Sequence, residues 1–156
     1  MSTSESMPKL FKYRPNAFHH VVFSTKRRKK VLVPPIKERV HYWIEHQVQE
    51  HNIDLREFNT WLDHGHMLIF VRPAEDLSDH VQLIKGGSAR NVFLELPDLR
   101  WQMGENHLWS RRFWAGEVPP DAVDAVRDYI RNQEAIHLGR RGWQPVPAWE
   151  RWIDLD

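Results

Sequence analysis

Apolar positions recur along the chain in two rhythms. Phe18 to Ser24 is dense in β-branched and aromatic residues and reads as a strand. Ile36, Val40, Trp43, Ile44, Gln47 and Val48 recur at helical spacing. They predict an amphipathic helix from about Ile36 to His51, entered through Pro34 and Pro35 and stopped at Asn52. Ile53 to Leu62 and His64 to Val71 read as two strands joined near Asp63, an antiparallel hairpin ended by Pro73. Leu77 to Leu96 has helical character interrupted by Gly86 and Gly87. Glycine inside a helix costs about 1 kcal/mol relative to alanine, so this pair implies a kink or a close approach of the backbone to a partner. Pro97 ends the segment, and a loop leads to His107 to Ser110 and Phe113 to Val118, one or two short strands. Pro119 and Pro120 then introduce a last helix, Asp121 to His137, with Val126, Ile130 and Gln133 on its inner stripe and Tyr129 at the stripe's edge.

This order predicts an α+β fold, an antiparallel sheet with helices packed mainly on one face, of ferredoxin-like or RNA-recognition-like type. A chain of 156 residues is long enough to bury one core. The expected division is a flexible leader over residues 1–16, one domain over 17–138, and a tail over 139–156. In that tail Trp143, Trp149 and Trp152, with Pro145 and Pro147, suit packing on the domain better than stacking on bases.

Composition narrows the class. Hydrophobic residues make up 41% and charged residues 28%, ordinary for a globular domain. No apolar run is long enough to cross a bilayer, and Met1 to Lys9 lack the basic start and apolar core of a signal peptide. The absence of cysteine excludes disulfides and thiolate metal sites and is compatible with the cytoplasm. A net charge of +1 hides local patches: Lys26, Arg27, Arg28, Lys29 and Lys30; Arg111 and Arg112; Arg140 and Arg141. Such patches permit phosphate binding at one face, and equally suit solvated loops.

The candidate chemistry lies in two places. His64 and His66 flank one residue in a predicted strand, so their imidazoles point the same way and form half of a divalent-metal site. On residues alone they are equally a pair of hydrogen-bonded histidines, and imidazole ligands would suit zinc as well as harder ions. Tyr129 and Gln133 are four apart and share a helical face. A phenol with an ordinary pKa of about 10 needs help to react near neutrality. Of the three tyrosines, Tyr13 falls in the leader and Tyr42 opposite the apolar stripe of the first helix, so Tyr129 alone is paired with a metal-ligand candidate.

His-x-His in a strand followed by a helical Tyr-x-x-x-Gln resembles the single-tyrosine transposases of the insertion-sequence 200/605 type, within the HUH nucleases (histidine, hydrophobe, histidine). Supporting stretches are His20-Val21-Val22-Phe23-Ser24-Thr25-Lys26, Asp63-His64-Gly65-His66-Met67-Leu68, a Lys85-Gly86-Gly87-Ser88 turn and His107-Leu108-Trp109-Ser110-Arg111. The resemblance covers roughly Phe18 to Gln133 in order. It implies that His64, His66 and Gln133 hold Mg²⁺ or Mn²⁺. Tyr129 would attack single-stranded DNA and become joined to its 5′ phosphate. It further implies recognition of hairpins near the element's ends, a homodimer, and action at the bacterial nucleoid. Lys26, Arg27, Arg28, Lys29, Lys30, Lys85, Arg90, Arg111 and Arg112 are the candidate phosphate contacts, and Gly86 and Gly87 would let a hairpin come close. Gly65 departs from the motif, whose middle residue is usually bulky; the space it leaves on the far side of the sheet suits a tryptophan. Other readings are a replication initiator, a relaxase, a domesticated transposase, or a non-catalytic nucleic-acid-binding module that would not need Tyr129 and Gln133 at matched spacing. A structural zinc protein is disfavoured by the lack of cysteine.

Overall fold

A computed structural model of the chain describes residues 12–139. The strands are β1 (Ala17–Ser24), β2 (Asp54–Trp61), β3 (His64–Val71) and β4 (Trp114–Val118); the helices are α1 (Ile36–Glu50), α2 (Leu77–Glu95), α3 (Pro97–Met103), α4 (Val123–Arg131) and α5 (Gln133–His137). The strands form one antiparallel sheet in the order β2-β3-β1-β4. Helix α1 stops where the sequence places its end, with Asn52 at a positive φ of 52°.

Alternation along the two central strands sorts the sheet into two faces. Val21 and Phe23 of β1 and Met67, Ile69 and Val71 of β3 face the main core with Val40 and Ile44 of α1 and Leu77, Val81 and Ile84 of α2. Leu68 and Val118 lie on the other face, under Ile130 of α4. The expected α+β sheet is therefore covered by two long helices on one side and by the short tyrosine-bearing helix on the other.

Three local expectations are corrected. Gly86 and Gly87 do not interrupt α2, which runs unbroken for 19 residues. Asp76 caps it by accepting from the Ser78 N–H at 2.9 Å, and Leu77, Val81, Ile84, Val92 and Phe93 bury one stripe. Each such burial is worth roughly 1.5–3 kcal/mol, enough to outweigh the glycine cost. Pro97 ends α2 but also opens α3 as its first residue. A proline there loses no helical hydrogen bond, Leu99 and Met103 bury one side, and Gly104 closes the helix at φ +62°. The last helix is divided into a 3-10 turn at Pro120–Ala122, then α4, then α5, with the break at Asn132.

Residues 12–16, assigned by sequence to the leader, lie against the domain. Arg14 pairs with Glu117, and the Tyr13 ring packs on Phe113 at 5.8 Å. The tail beyond Gly139, with its tryptophans and with Arg140 and Arg141, falls outside the described residues.

Candidate active site

The hairpin between β2 and β3 sets the site. Its tip, Leu62 and Asp63, is tied to the basic loop by Thr25 N–H donating to Asp63 O and Leu32 N–H donating to Leu62 O, both at 2.9 Å. His64 and His66 follow on one face of β3, both buried, with ring centroids 5.0 Å apart. Gly65 points the other way. A side chain there would meet Phe23 at 3.1 Å and Phe58 at 3.4 Å, so two phenylalanines, not a tryptophan, fill the space the glycine leaves.

Each histidine is oriented through Nδ1. His64 Nδ1 lies 2.7 Å from Asp63 Oδ1, and His66 Nδ1 lies 3.0 Å from His20 Nε2. Burial alone would raise the Asp63 pKa. The hydrogen bond and charge of His64, with Arg28, outweigh that and hold the carboxyl below its ordinary value. Burial pushes the His66 pKa well down, the neighbouring His64, His20 and His137 push the same way, and a hydrogen bond with Gln133 opposes them. Burial also lowers His20 to about 4. The lowered values of His66 and His20 keep those two imidazoles neutral near neutral pH.

Helix α4 lays Tyr129 over this pair. The half-buried Tyr129 ring stands edge-on to His66 at 5.6 Å and to His20 at 6.0 Å. One turn on, Gln133 is fully buried. Its Nε2 donates to Tyr129 O at 2.9 Å, and its Oε1 lies 3.1 Å from His137 Nε2. The His137 ring stacks on Trp61 at 5.1 Å. His137 is exposed, yet desolvation of its ring, then the charge of His64, lowers it to about 4. The structure thus brings together His64, His66, Tyr129 and Gln133, the four residues singled out by sequence. It adds Asp63, His20 and His137, to which the sequence reading gave no role. Asp63 stands directly before the motif, and His20 is in a quoted stretch. Only the β1–β3 register, which pairs Val22 with His66 and sets His20 one step along the same face, shows that His20 belongs.

Among the described residues no three His, Asp or Glu side chains are grouped to hold a metal ion.

Residues 14–133 match the family described as Transposase IS200 like. The chain belongs to that family. It is 24% identical to ISDra2 transposase TnpA of Deinococcus radiodurans over 115 residues, 74% of this chain and 82% of that protein. It is also 24% identical to the transposase for insertion sequence element IS200 of Salmonella typhimurium over 134 residues, 85% of this chain and 88% of the relative. A crystal structure of a protein assigned as a transposase from D. radiodurans superposes with a TM-score of 0.62 at 25% identity, covering 81% of this chain and 98% of the other. A REP-associated tyrosine transposase bound to a REP hairpin shares the fold, with a TM-score of 0.60 at 16% identity over 84% of this chain and 74% of that one. DNA cleavage and strand transfer are the general activity of such transposases.

The transposase's basic residues fall into two groups. In the first run Arg28 pairs with Asp63 at 3.2 Å and Arg27 with Glu105 at 3.1 Å, while Lys29 donates to Met103 O. Lys85 donates to the carbonyls of Ser110 and Arg112, at 2.5 and 3.0 Å. These four stitch loops to the domain. Lys30, Arg90, Arg111 and Arg112 are exposed, and Lys26 is half-buried. Lys85, Arg90 and Arg111 line a cleft of about 570 Å³ that shares no residue with the histidine cluster. The Lys85–Ser88 stretch is no turn: it lies inside α2, where Ser88 Oγ accepts from Trp109 Nε1 at 3.0 Å. Gly87 is occupied from within, since a Cβ there would fall 2.1 Å from the Gln47 side chain of α1; around Gly86 the space is open. Among the described residues no helix is long and apolar enough to cross a membrane.

Proposed function

We propose that this transposase cleaves and rejoins single-stranded DNA with Tyr129 as the nucleophile. The reading rests on the Tyr129 ring standing against His66 with Gln133 buried one turn on. The phenolic oxygen attacks the scissile phosphorus, an O–P bond to Tyr129 forms, and the bond to the 3′ oxygen breaks. The phenol gives up one proton and the departing 3′ oxygen takes one up. The 5′ phosphate remains on Tyr129, and the bond energy is kept, so a 3′ hydroxyl from another strand reverses the step without a nucleotide cofactor.

The residues fit a divalent ion. The Asp63 carboxylate calls for an Nδ1–H on His64, which leaves Nε2 to ligate, and His66 is left the same way when its Nδ1–H is donated to His20 Nε2. The Gln133 carbonyl would supply an oxygen, and a mixed nitrogen and oxygen set suits Mg²⁺ or Mn²⁺. Such an ion, when bound, polarises the phosphoryl oxygen and offsets developing negative charge.

The partner in this reading is single-stranded DNA carrying a hairpin, the kind of ligand held by the REP-associated relative. Lys26, Lys30, Arg90, Arg111 and Arg112 are the phosphate contacts best placed for it; Arg27, Arg28, Lys29 and Lys85 act first as struts. The protein works as a homodimer. Among the described residues strand β4 pairs with β1 alone, at one edge of the sheet, and that edge is where two copies would pair about a two-fold axis. Pro119 and Pro120 form a stiff connector before α4, so an exchanged helix would make the same contacts on a partner's sheet.

Incubating the protein with hairpin oligonucleotides and Mg²⁺ or Mn²⁺ tests this reading. A denaturation-resistant protein–DNA adduct is expected, lost in Tyr129→Phe while hairpin binding persists. Continued cleavage by that variant would remove Tyr129 as the nucleophile. Mixing Tyr129→Phe with His64→Ala chains after subunit exchange reports the assembly. Recovered cleavage, with the adduct on the His64→Ala chain, would place each helix on its partner; continued inactivity would keep it at home.

A further inference from the structure

Between them the histidines and Tyr129 belong to separate elements, and nothing covalent near the site fixes α4 on the sheet. Apolar packing of Ile130 on Leu68 and Val118 seats the helix; the side-chain hydrogen bonds and ion pairs between α4 and the sheet converge on β2. Asn59 Nδ2 donates to the carbonyls of Ile130 and Arg131, both at 3.1 Å. Those are the last two residues of α4, whose carbonyls lack partners within the helix. The orientation of the amide is fixed, because Asn59 Oδ1 accepts from Thr60 N–H at 2.9 Å. Two residues earlier on the same face, Glu57 Oε1 meets Arg127 at 3.4 Å and Arg131 at 2.8 Å. These partners bracket Tyr129 along the helix, from Arg127 before it to Ile130 and Arg131 after it. In the β2–β3 register Asn59 sits directly opposite His66.

We propose that Asn59, supported by Glu57, is a positioning residue that clamps the end of α4 to the strand beside His66 and so fixes Tyr129 at the reacting phosphate. The inference rests on the reading of Tyr129 as nucleophile. The clamp also accounts for the helix break. The Ile130 and Arg131 carbonyls are turned to Asn59, α4 ends at Arg131, and α5 begins anew at Gln133 after Asn132. A single side chain thereby sets both Tyr129 and Gln133. Asn59 touches neither DNA nor metal in this role, so its removal should slow the chemical step and leave substrate affinity alone.

The test uses the full chain with Asn59→Asp, Asn59→Ala and Glu57→Gln. Aspartate keeps the shape of asparagine but aims negative charge at two carbonyl oxygens. At saturating hairpin DNA, single-turnover adduct formation is expected to fall roughly 10- to 100-fold in both Asn59 variants, the scale that misplacing a reacting group by about 1 Å produces. Glu57→Gln should lose only roughly 2- to 5-fold, because its ion pairs are partly solvated. Hairpin Kd should stay within about twofold of wild type in all three, since the clamp makes no contact with DNA. Hydrogen exchange of the backbone amides over residues 127–133 should quicken in the Asn59 variants without DNA present, while amides of α1 and α2 stay protected. An unchanged adduct rate in both Asn59 variants overturns the proposal, and so does a rate loss matched by an equal loss of affinity. Unchanged exchange over 127–133 overturns it independently of any catalytic reading. If Tyr129→Phe still forms adduct, the nucleophile assignment fails; the exchange result then still decides whether the clamp exists.

Discussion

The Asp63 carboxylate lies 2.7 Å from His64 Nδ1 and 3.2 Å from Arg28 Nε, so one acid joins a histidine of the site to the basic loop. A carboxylate behind a ligating imidazole fixes its tautomer and ring orientation. Removing such a partner typically weakens metal binding 10- to 100-fold. Asp63→Asn is expected to weaken Mn²⁺ binding by roughly that factor, measured by calorimetry on the DNA-free protein. Arg28→Ala should have a smaller effect of the same sign, and unaltered Mn²⁺ affinity in Asp63→Asn would show that the contact does not serve a metal.

The two glycines of α2 should respond oppositely to alanine. A Cβ at Gly87 would displace the end of the buried Gln47 side chain, whereas nothing lies within 4 Å of the position at Gly86. Gly87→Ala is expected to destabilise by up to about 1 kcal/mol, because the Gln47 amide must swing aside. Gly86→Ala should stabilise by up to about 1 kcal/mol through helix propensity. Urea denaturation of both variants checks the signs, and equal effects would mean that the α1–α2 contact adapts.

Acid should destabilise the protein through histidines whose desolvation in the fold lowers their pKa. Burial, aided by Lys37, holds His41 at about 4, where it meets Thr60 Oγ1 at 2.8 Å. The unfolded chain takes up that proton near 6.5. Between these values the unfolded state binds more protons, so stability is full above about pH 6.5 and is lost as pH falls toward 4. His41→Gln should reduce the drop in Tm between about pH 7.5 and about pH 5. It should not abolish the drop, because burial also holds His20 at about 4.

Salt should weaken hairpin binding, because each phosphate contact releases counterions. Arg111→Ala and Arg90→Ala are each expected to shallow the slope of log Kd against log salt by roughly one unit. Lys85→Ala is expected to lower Tm instead, since Lys85 holds the Ser110 and Arg112 carbonyls. Fluorescence anisotropy over a salt series, with melting curves for the same variants, separates the two behaviours.

The sequence by itself determined what depends on local spacing. Alternation placed His64 and His66 on one face of a strand, and the helical repeat placed Tyr129 and Gln133 on another element's inner side. The order of elements gave the antiparallel α+β sheet. The same local reading misjudged Gly87, because the reason for that glycine is Gln47, 40 residues earlier in the chain. It also missed α3, since Pro97 both ends one helix and starts the next. Tertiary structure alone decided which side chains meet. Strand register brought His20 to His66 and Asn59 opposite it. Loop closure turned Arg28 and Lys85 from free-looking cations into struts. Those outcomes depend on contacts between residues far apart in sequence, and a periodicity of two or of 3.6 carries no information about which distant face it will meet.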